Sequence, residues 1–182
     1  MPTSEGLFAC VLGGTACGAR TELHDVAFAV GADIDAVHDQ LLDAWFGEPH
    51  GLHIDAWCRL DHVQGHRVHL RRTPAGNGLH LYFVNIGGYC PGEFGERHAW
   101  GFFGAADKAG AKARARASLL PGSERRHKDD LHDVDDCLRV ARVAGWHVVL
   151  EAAPDAGDPP VSNGYLPLPR ATIEAWLARH AG

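Results

Sequence analysis

The chain has 182 residues, of which 46% are hydrophobic and 22% are charged, a composition that excludes a disordered or fibrous protein and suits one compact body. Its formal net charge of −6 argues against a nucleic-acid partner, because such partners are bound by clustered Lys and Arg. The sequence contains no run of about 18 apolar residues, so it predicts no membrane-spanning helix.

The first predicted element is an apolar strand, Leu7–Leu12, and a similar strand recurs later in the chain as Leu81–Ile86. Strands that are apolar on both faces are covered on both faces, so we expect these two in the interior of a sheet. Each is followed by a glycine-rich turn and by a second strand, which spans residues 22–30 in the first copy and 96–103 in the second. A strand rather than a helix follows each glycine turn, so the pattern predicts no phosphate or cofactor loop there.

A helix comes next in each copy, with Asp33 or Asp107 at the N-cap position, where a carboxylate accepts from unpaired backbone N–H groups. The first helix has a buried stripe at helical spacing, formed by Ile34, Val37, Leu41, Leu42 and Trp45. Each copy ends with two further extended segments, predicted at 53–60 and 65–70 in the first copy and at 127–134 and 145–150 in the second.

The two copies keep one register without a gap from Leu7 to Asp61, which aligns Leu7 with Leu81 and Asp61 with Asp135. An insertion of six residues then changes the alignment, so that Gly65 falls on Gly145. The identical pairs include glycines, histidines and carboxylates, among them Glu22 with Glu96, His24 with His98, His53 with His127, and Asp55 with Asp129. A repeat of this length indicates one supersecondary unit that is used twice.

The sequence therefore predicts an α+β fold. We expect two β-β-α-β-β units, related by an approximate two-fold axis and sharing a largely antiparallel sheet core, followed by a short C-terminal helix. The first repeat unit covers residues 1–74, the second covers 75–153, and a C-terminal extension covers 154–182. We expect all three to pack as one compact body.

Five short strings carry a resemblance to a known family: Leu7–Gly14, Glu22–Asp25, Leu52–Asp55, Leu81–Tyr89 and His127–Asp130. They are similar to the bacterial family called domain of unknown function 1543, which occurs in one or two copies per chain. The resemblance covers about residues 7–150 and implies two tandem copies in a bacterial, cytoplasmic protein. It supplies no activity and no catalytic residue.

The residues best suited to chemistry are a Glu-x-His pair and a His-x-Asp pair in each half. Residues i and i+2 of a strand point to the same face, so each pair shares a face. Imidazole and carboxylate together suit zinc, manganese or iron. The predicted metal ligands are Glu22, His24, His53 and Asp55 in the first half and Glu96, His98, His127 and Asp129 in the second.

Two other interpretations of these pairs stay open. The histidines can donate hydrogen bonds to the carboxylates and so satisfy buried polar groups, or they can transfer protons. We expect the pairs to converge in either case, and catalytic residues stay unknown.

The most direct functional interpretation is a module that binds an unknown small molecule or protein, with a homo-oligomer as one form it could take. The alternative is a metal-dependent enzyme that uses the repeated Glu, His and Asp sets. Five cysteines without a Cys-x-x-Cys pair predict reduced thiols, and the first residues lack the basic segment of a signal peptide. Both features predict a cytoplasmic location.

Overall fold

The computed structural model describes residues 5–76, 78–89, 92–119 and 136–181. Within these residues the chain forms eleven β-strands in three sheets and three α-helices, which confirms the predicted α+β class with antiparallel pairing. The strands are β1 (Gly6–Gly14), β2 (Leu23–Gly31), β3 (His53–Arg59), β4 (His62–Val63), β5 (His66–Arg71), β6 (His80–Gly88), β7 (Arg97–Ala105), β8 (Asp136–Arg139), β9 (Arg142–Val143), β10 (Trp146–Ala152) and β11 (Ser162–Pro167). The helices are α1 (His38–Ala44), α2 (Lys108–Ser118) and α3 (Arg170–His180).

The described residues divide into two compact units. The first lies within Met1–Asp61, Val143–Trp146 and Pro159–Gly182, and the second lies within His62–Arg142 and His147–Asp158. The first unit takes its C-terminal strand and helix from the far end of the chain. The unit boundaries at residues 74 and 153 follow from the sequence repeat alone and stay a prediction.

The first unit is built on a sheet of order β11-β3-β1-β2, in which β1 is an interior strand. Alternate residues of β1, Phe8, Cys10 and Leu12, point into one core, because successive side chains of a strand face opposite sides of its sheet. Leu41 of α1 and Ile173 of α3 belong to the same core. The apolar run of β1 is therefore buried as predicted.

The predicted helix stripe is buried over most of its length, since Val37, Leu41, Leu42 and Trp45 have little exposed surface. The helix itself is shorter than its stripe, because a 3-10 turn at Asp35–Val37 precedes α1. Asp33 caps that turn by accepting from the backbone N–H of Ala36 at 2.9 Å.

The second unit contains a sheet of order β7-β6-β8, again with the apolar strand in the middle. Helix α2 packs against it through Ala111 and Ala115, whose small side chains allow the backbones to approach closely. Asp107 is the N-cap of α2, as predicted, and accepts from the backbone N–H of Gly110 at 2.8 Å. The third sheet has the order β4-β5-β10-β9, so strands from both sequence repeats pair in it.

The strand pairing follows the sequence repeat in the first two strands of each half. Leu7 lies opposite Val30 in the β1–β2 pair, and Leu81 lies opposite Gly104 in the β6–β7 pair. Leu81 follows Leu7 by the same number of residues as Gly104 follows Val30, so one repeat register relates both strands of the pair. The first two strands of the second half are therefore paired in the register of the first two strands of the chain.

The prediction that this register continues as far as Asp61 is wrong. Phe8 lies opposite Arg59 in the β1–β3 pair, whereas Tyr82 lies opposite Arg139 in the β6–β8 pair. The predicted register places Phe8 on Tyr82 and Arg59 on Asp133, but the residue opposite Tyr82 lies six residues beyond Asp133. The six additional residues therefore enter the chain before β8.

Backbone hydrogen bonds after these strands give the same correction. The N–H of Asp61 donates to the carbonyl of Arg59, and the N–H of Ala141 donates to the carbonyl of Arg139. Asp61 is thus equivalent to Ala141 and not to Asp135. Pairing with the central strand sets the register of β3 and β8 in each half. The segment predicted at 127–134 lies outside the described residues.

Besides β8, three strands lie where no strand was predicted. Strands β4 and β9 are two-residue pieces within what the sequence indicates as a turn. Strand β11 lies in a stretch rich in Pro and Gly, which predicts a loop. It pairs at the edge of its sheet, where proline is tolerated because the outward N–H groups are not needed.

Candidate metal centre

The four predicted ligands of the first half come from neighbouring strands. Strand β1 pairs with β2 on one side and with β3 on the other, so that Gly13 lies opposite both His24 and His53. Glu22 stands one residue before β2, and Asp55 lies within β3. The pairing of three strands therefore brings these four side chains, which are far apart in sequence, to one place on the sheet.

The four side chains form a ring in which imidazoles alternate with carboxylates. Nε2 of His24 lies 3.7 Å from Oε2 of Glu22 and 3.0 Å from Oδ2 of Asp55. Nε2 of His53 lies 3.2 Å from Oε1 of Glu22 and 3.4 Å from Oδ1 of Asp55. Each carboxylate thus faces both imidazoles and turns one oxygen towards each.

A β-bulge places Asp55 in this ring. The β1–β3 pairing passes from Val11 opposite Ala56 to Leu12 opposite Ile54, so Asp55 is the additional residue on β3. A bulge leaves its extra residue out of the ladder and changes the direction of the side chain. The sequence spacing of His53 and Asp55 predicts a shared face, but the bulge is visible in the pairing alone.

Gly13 provides the space that the ring occupies. A Cβ atom at this position would lie 2.4 Å from Nε2 of His53 and 2.7 Å from Oδ2 of Asp55. Both distances are shorter than van der Waals contact, so any side chain at position 13 would displace the ring. Gly13 and Gly14 belong to β1 and not to the predicted turn, and Gly13 has a steric role that the sequence pattern did not reveal.

His53 is the buried member of the ring, with 2% of its surface exposed. Its Nδ1 lies 2.9 Å from the carbonyl oxygen of Gly51, which can only accept, so Nδ1 is the protonated nitrogen. A neutral His53 therefore directs the lone pair of Nε2 towards the carboxylates. Nε2 of His53 and Oδ2 of Asp55 are both buried and, among the described residues, have no aligned hydrogen-bond partner.

This arrangement has a clear electrostatic requirement. A lone pair that faces carboxylate oxygens is repelled by them unless a positive charge lies between, and in a buried site the penalty is large. Either a proton on Nε2 of His53 or a cation can supply that charge. In the described parts of the chain, no group of three or more His, Cys, Asp or Glu side chains is arranged to hold a metal ion. In its present geometry the ring is a set of close imidazole–carboxylate contacts.

Tyr165 is a neighbour of the site that the sequence did not indicate. Its ring centroid lies 4.4 Å from that of His53, and 68% of the residue is exposed. The β3–β11 pairing is irregular between Asn163 and Leu166, which places Tyr165 in a second bulge. An aromatic residue beside a Gly in a Pro-bounded stretch was the available signal, and the loop prediction for that stretch obscured it.

The second half has part of the same set. Nε2 of His98 lies 3.6 Å from Oε2 of Glu96, close to the separation of His24 and Glu22 in the first half. Nδ1 of His98 also lies 3.3 Å from Oδ1 of Asn85. The other two predicted ligands, His127 and Asp129, lie outside the described residues, so the second predicted set stays a prediction.

Comparisons with known proteins give a family model and a similar solved structure. The model of the Domain of Unknown Function (DUF1543) matches residues 19–70, which include Glu22, His24, His53 and Asp55. Among solved structures, the crystal structure of a protein Il1583 from Idiomarina loihiensis is similar, with 34% sequence identity and a TM-score of 0.71. The similarity covers 92% of this chain and 99% of that one.

No curated protein matches the chain. Among the helices in the described residues, none has the length and apolar character that crossing a membrane requires. The family match contains the complete first-half ring, and the similarity to the solved structure extends over nearly all of both chains. The chain belongs to the family described as Domain of Unknown Function (DUF1543).

Proposed function

We propose that the chain is a ligand-binding module and that its first half binds a divalent transition metal through Glu22, His24, His53 and Asp55. The observation that carries the proposal is the buried Nε2 of His53, which faces two carboxylates without an aligned hydrogen bond. A metal ion would occupy the position where the ring requires positive charge. With both histidines neutral the two carboxylates carry two negative charges, which one divalent cation balances.

The distances between the nitrogen and oxygen atoms of the ring support a metal ion as the ligand. Zinc bonds of about 2.0–2.2 Å in a tetrahedron separate the ligand atoms by about 3.3–3.6 Å. The four nitrogen–oxygen separations in the ring are 3.7, 3.0, 3.2 and 3.4 Å. Small rotations of the side chains would therefore convert the ring into a coordination sphere. Manganese and ferrous iron accept the same mixed nitrogen and oxygen ligands.

The environment of His53 also matches that of a metal ligand. Histidines that bind metals usually donate their second ring N–H to a carbonyl or carboxylate, which fixes the tautomer and the ring orientation. In His53 the carbonyl of Gly51 accepts that hydrogen bond. Tyr165 packs against the same ring and limits its rotation.

The proposal includes an internal duplication, with two tandem family copies that both contribute to the module. It is supported by the repeated strand register, in which Leu7–Val30 and Leu81–Gly104 are corresponding pairs. We further propose a bacterial, cytoplasmic protein, in line with the free thiols of Cys10, Cys17 and Cys58. The proposed partners are a small molecule or another protein.

A metal-dependent enzyme is the second candidate, and the exposure of the carboxylates favours it. The side chains of Glu22 and Asp55 are 49% and 32% exposed, so a substrate could reach an ion held there. Catalytic zinc sites keep one coordination position for water or substrate. Metal-dependent turnover of a model ester, lost in His24→Ala, would decide for the enzyme over the binding module.

The direct test is elemental analysis and calorimetric titration of protein purified without a histidine tag. We expect near-stoichiometric zinc, manganese or iron in the wild type, and a loss of at least about tenfold in affinity for His24→Ala and Asp55→Asn. His50→Ala is the matched control, because His50 is exposed and outside the ring. Its affinity should equal that of the wild type.

Gly13→Ala tests the same site without removing a ligand. The added methyl group would collide with His53 and Asp55, so we expect loss of metal together with a lower free energy of unfolding. Gly157→Ala is the control, since a Cβ there would contact nothing within 4 Å. A wild-type protein that neither contains nor binds metal, yet loses about 1–3 kcal/mol of stability in His24→Ala, would overturn the metal proposal and leave a structural ring.

A further inference from the structure

The second unit contains a cleft of about 310 Å³ that is lined in part by an arginine. Its apolar wall is formed by Leu81, Val140 and Val148, and Arg139 and His80 lie among the residues that line it. This volume is at the lower end of the range for small-molecule sites, which is about 300–1,000 Å³. The cleft is separate from the ring of the first half, since every residue that lines it belongs to the second unit.

The equivalent arginine of the first half is neutralised by a carboxylate. Nε of Arg59 donates to Oδ1 of Asp61 at 3.0 Å, and a second guanidinium nitrogen lies 3.4 Å from the carbonyl of Ala32. The guanidinium also lies over the ring of Phe8 at 6.0 Å. The charge of Arg59 is thus balanced within the first unit.

The second half keeps the arginine and replaces the carboxylate. The hydrogen bonds from Asp61 to Arg59 and from Ala141 to Arg139 make Ala141 the equivalent of Asp61. Arg139 contacts Nδ1 of His80 at 3.0 Å, and it makes no ion pair with a carboxylate of the described residues. Among the described residues, the permanent positive charge of Arg139 therefore lines a cleft without the carboxylate partner that Arg59 has.

The imidazole beside it adds a second hydrogen-bond donor. Arginine can only donate, so Nδ1 of His80 accepts, and its Nε2 carries the proton of a neutral imidazole. Burial, together with the charge of Arg139, lowers the pKa of His80, which keeps the imidazole neutral at physiological pH. The guanidinium and the Nε2–H are then both available as donors.

We propose that this cleft binds a small molecule with an oxyanion group, a carboxylate or a phosphate, that Arg139 holds by its guanidinium. The planar fork of arginine matches both oxyanions, and charge-assisted hydrogen bonds are the strongest that a side chain makes. Leu81, Val140 and Val148 would contact a short apolar group of the same molecule. The small volume excludes a nucleic acid or a long chain from the enclosed part.

The test is a titration of the full chain with inorganic phosphate and, separately, with butyrate, followed by amide chemical shifts at low salt. We expect saturable shifts at residues 79–81 and 139–141 with at least one probe. Saturation with phosphate alone would assign a phosphorylated ligand, and saturation with butyrate alone would assign a carboxylate.

Ala141→Asp is the decisive variant, because it restores the carboxylate that the first half places next to its arginine. We expect it to weaken binding at least tenfold. Arg142→Met is the control, since it changes the net charge by the same amount at an exposed neighbouring position, and it should bind like the wild type. Arg139→Lys gives an independent check, with weaker binding expected because lysine lacks the fork.

The absence of saturable shifts with both probes would overturn the proposal. Equal binding by the wild type and Ala141→Asp, with both folded by circular dichroism, would also overturn it. Chelators should leave oxyanion binding in the cleft unaffected. A failure of the oxyanion proposal can therefore be distinguished from a failure of the metal proposal.

Discussion

Burial controls the chemistry of single cysteines in this chain. Cys10 is fully buried, and desolvation, together with the nearby Cys58, raises the pKa of its thiol to about 12. Burial raises the pKa of Cys58 to about 11. Both thiols are therefore protonated at neutral pH, and the thiol form is a poor nucleophile. Cys17 is exposed and has no such protection.

We expect iodoacetamide at pH 8 to alkylate Cys17 in the folded protein and to leave Cys10 and Cys58 unmodified, as measured by peptide mass spectrometry. Because folding raises both pKa values above 9.0, the stability that this burial contributes is present below pH 9. It is lost as the pH rises through 11 and then 12. Rapid alkylation of Cys10 at pH 8 without unfolding would contradict the burial.

At the scale of elements, a short helix depends on its packing more than on its length. Helix α1 has seven residues, too few for stability in isolation, so its apolar side chains hold it to the sheet. Leu41 is completely buried in the core of the first unit. Phe46, just beyond the helix, is 60% exposed.

We expect Leu41→Ala to lower the free energy of unfolding by about 2–5 kcal/mol, measured by urea denaturation, because it leaves a cavity in a packed core. Phe46→Ala removes a larger side chain from an exposed position and should cost less than about 0.5 kcal/mol. Similar losses in the two variants would mean that the stripe does not form the core contact described here.

At the scale of the whole molecule, each half is built around an equivalent interior strand, β1 in the first half and β6 in the second. Leu7 and Leu81 are 2% and 1% exposed and occupy equivalent positions in β1 and β6. Their neighbours differ: the first half adds β11 and α3 to its core, and the second adds the alanines of α2. Different elements therefore pack against the equivalent strands of the two halves.

We expect Leu7→Ala and Leu81→Ala each to cost about 2–5 kcal/mol in urea denaturation, since both truncate a buried leucine of an interior strand. The conservative variants Leu7→Met and Leu81→Met serve as controls and should cost less than about 1.5 kcal/mol. A negligible loss in one of the two alanine variants would show that the strands are not energetically equivalent.

Much of the architecture was determined by the sequence alone. Continuous apolar runs predicted the interior strands, and the helical spacing of Val37, Leu41 and Trp45 predicted a buried stripe. The residues of the first-half ring were also predicted from the sequence, because both repeats keep them. An apolar core residue can be exchanged for another of similar volume, whereas no other side chain supplies the chemistry of an imidazole or a carboxylate. Local patterns of this kind depend on the spacing of apolar residues and on side-chain chemistry. Both are present in the sequence itself, whatever the fold.

Tertiary structure decided the register and the site geometry. One alignment of the repeat matches Asp61 with Asp135, and another matches Arg59 with Arg139, so the sequence supports both. Hydrogen bonding to the central strands selects the second alignment for β3 and β8. The bulge at Asp55 and the position of Tyr165 are likewise products of strand pairing. Contacts between distant segments depend on which backbone groups meet, and this information exists only once the strands are paired.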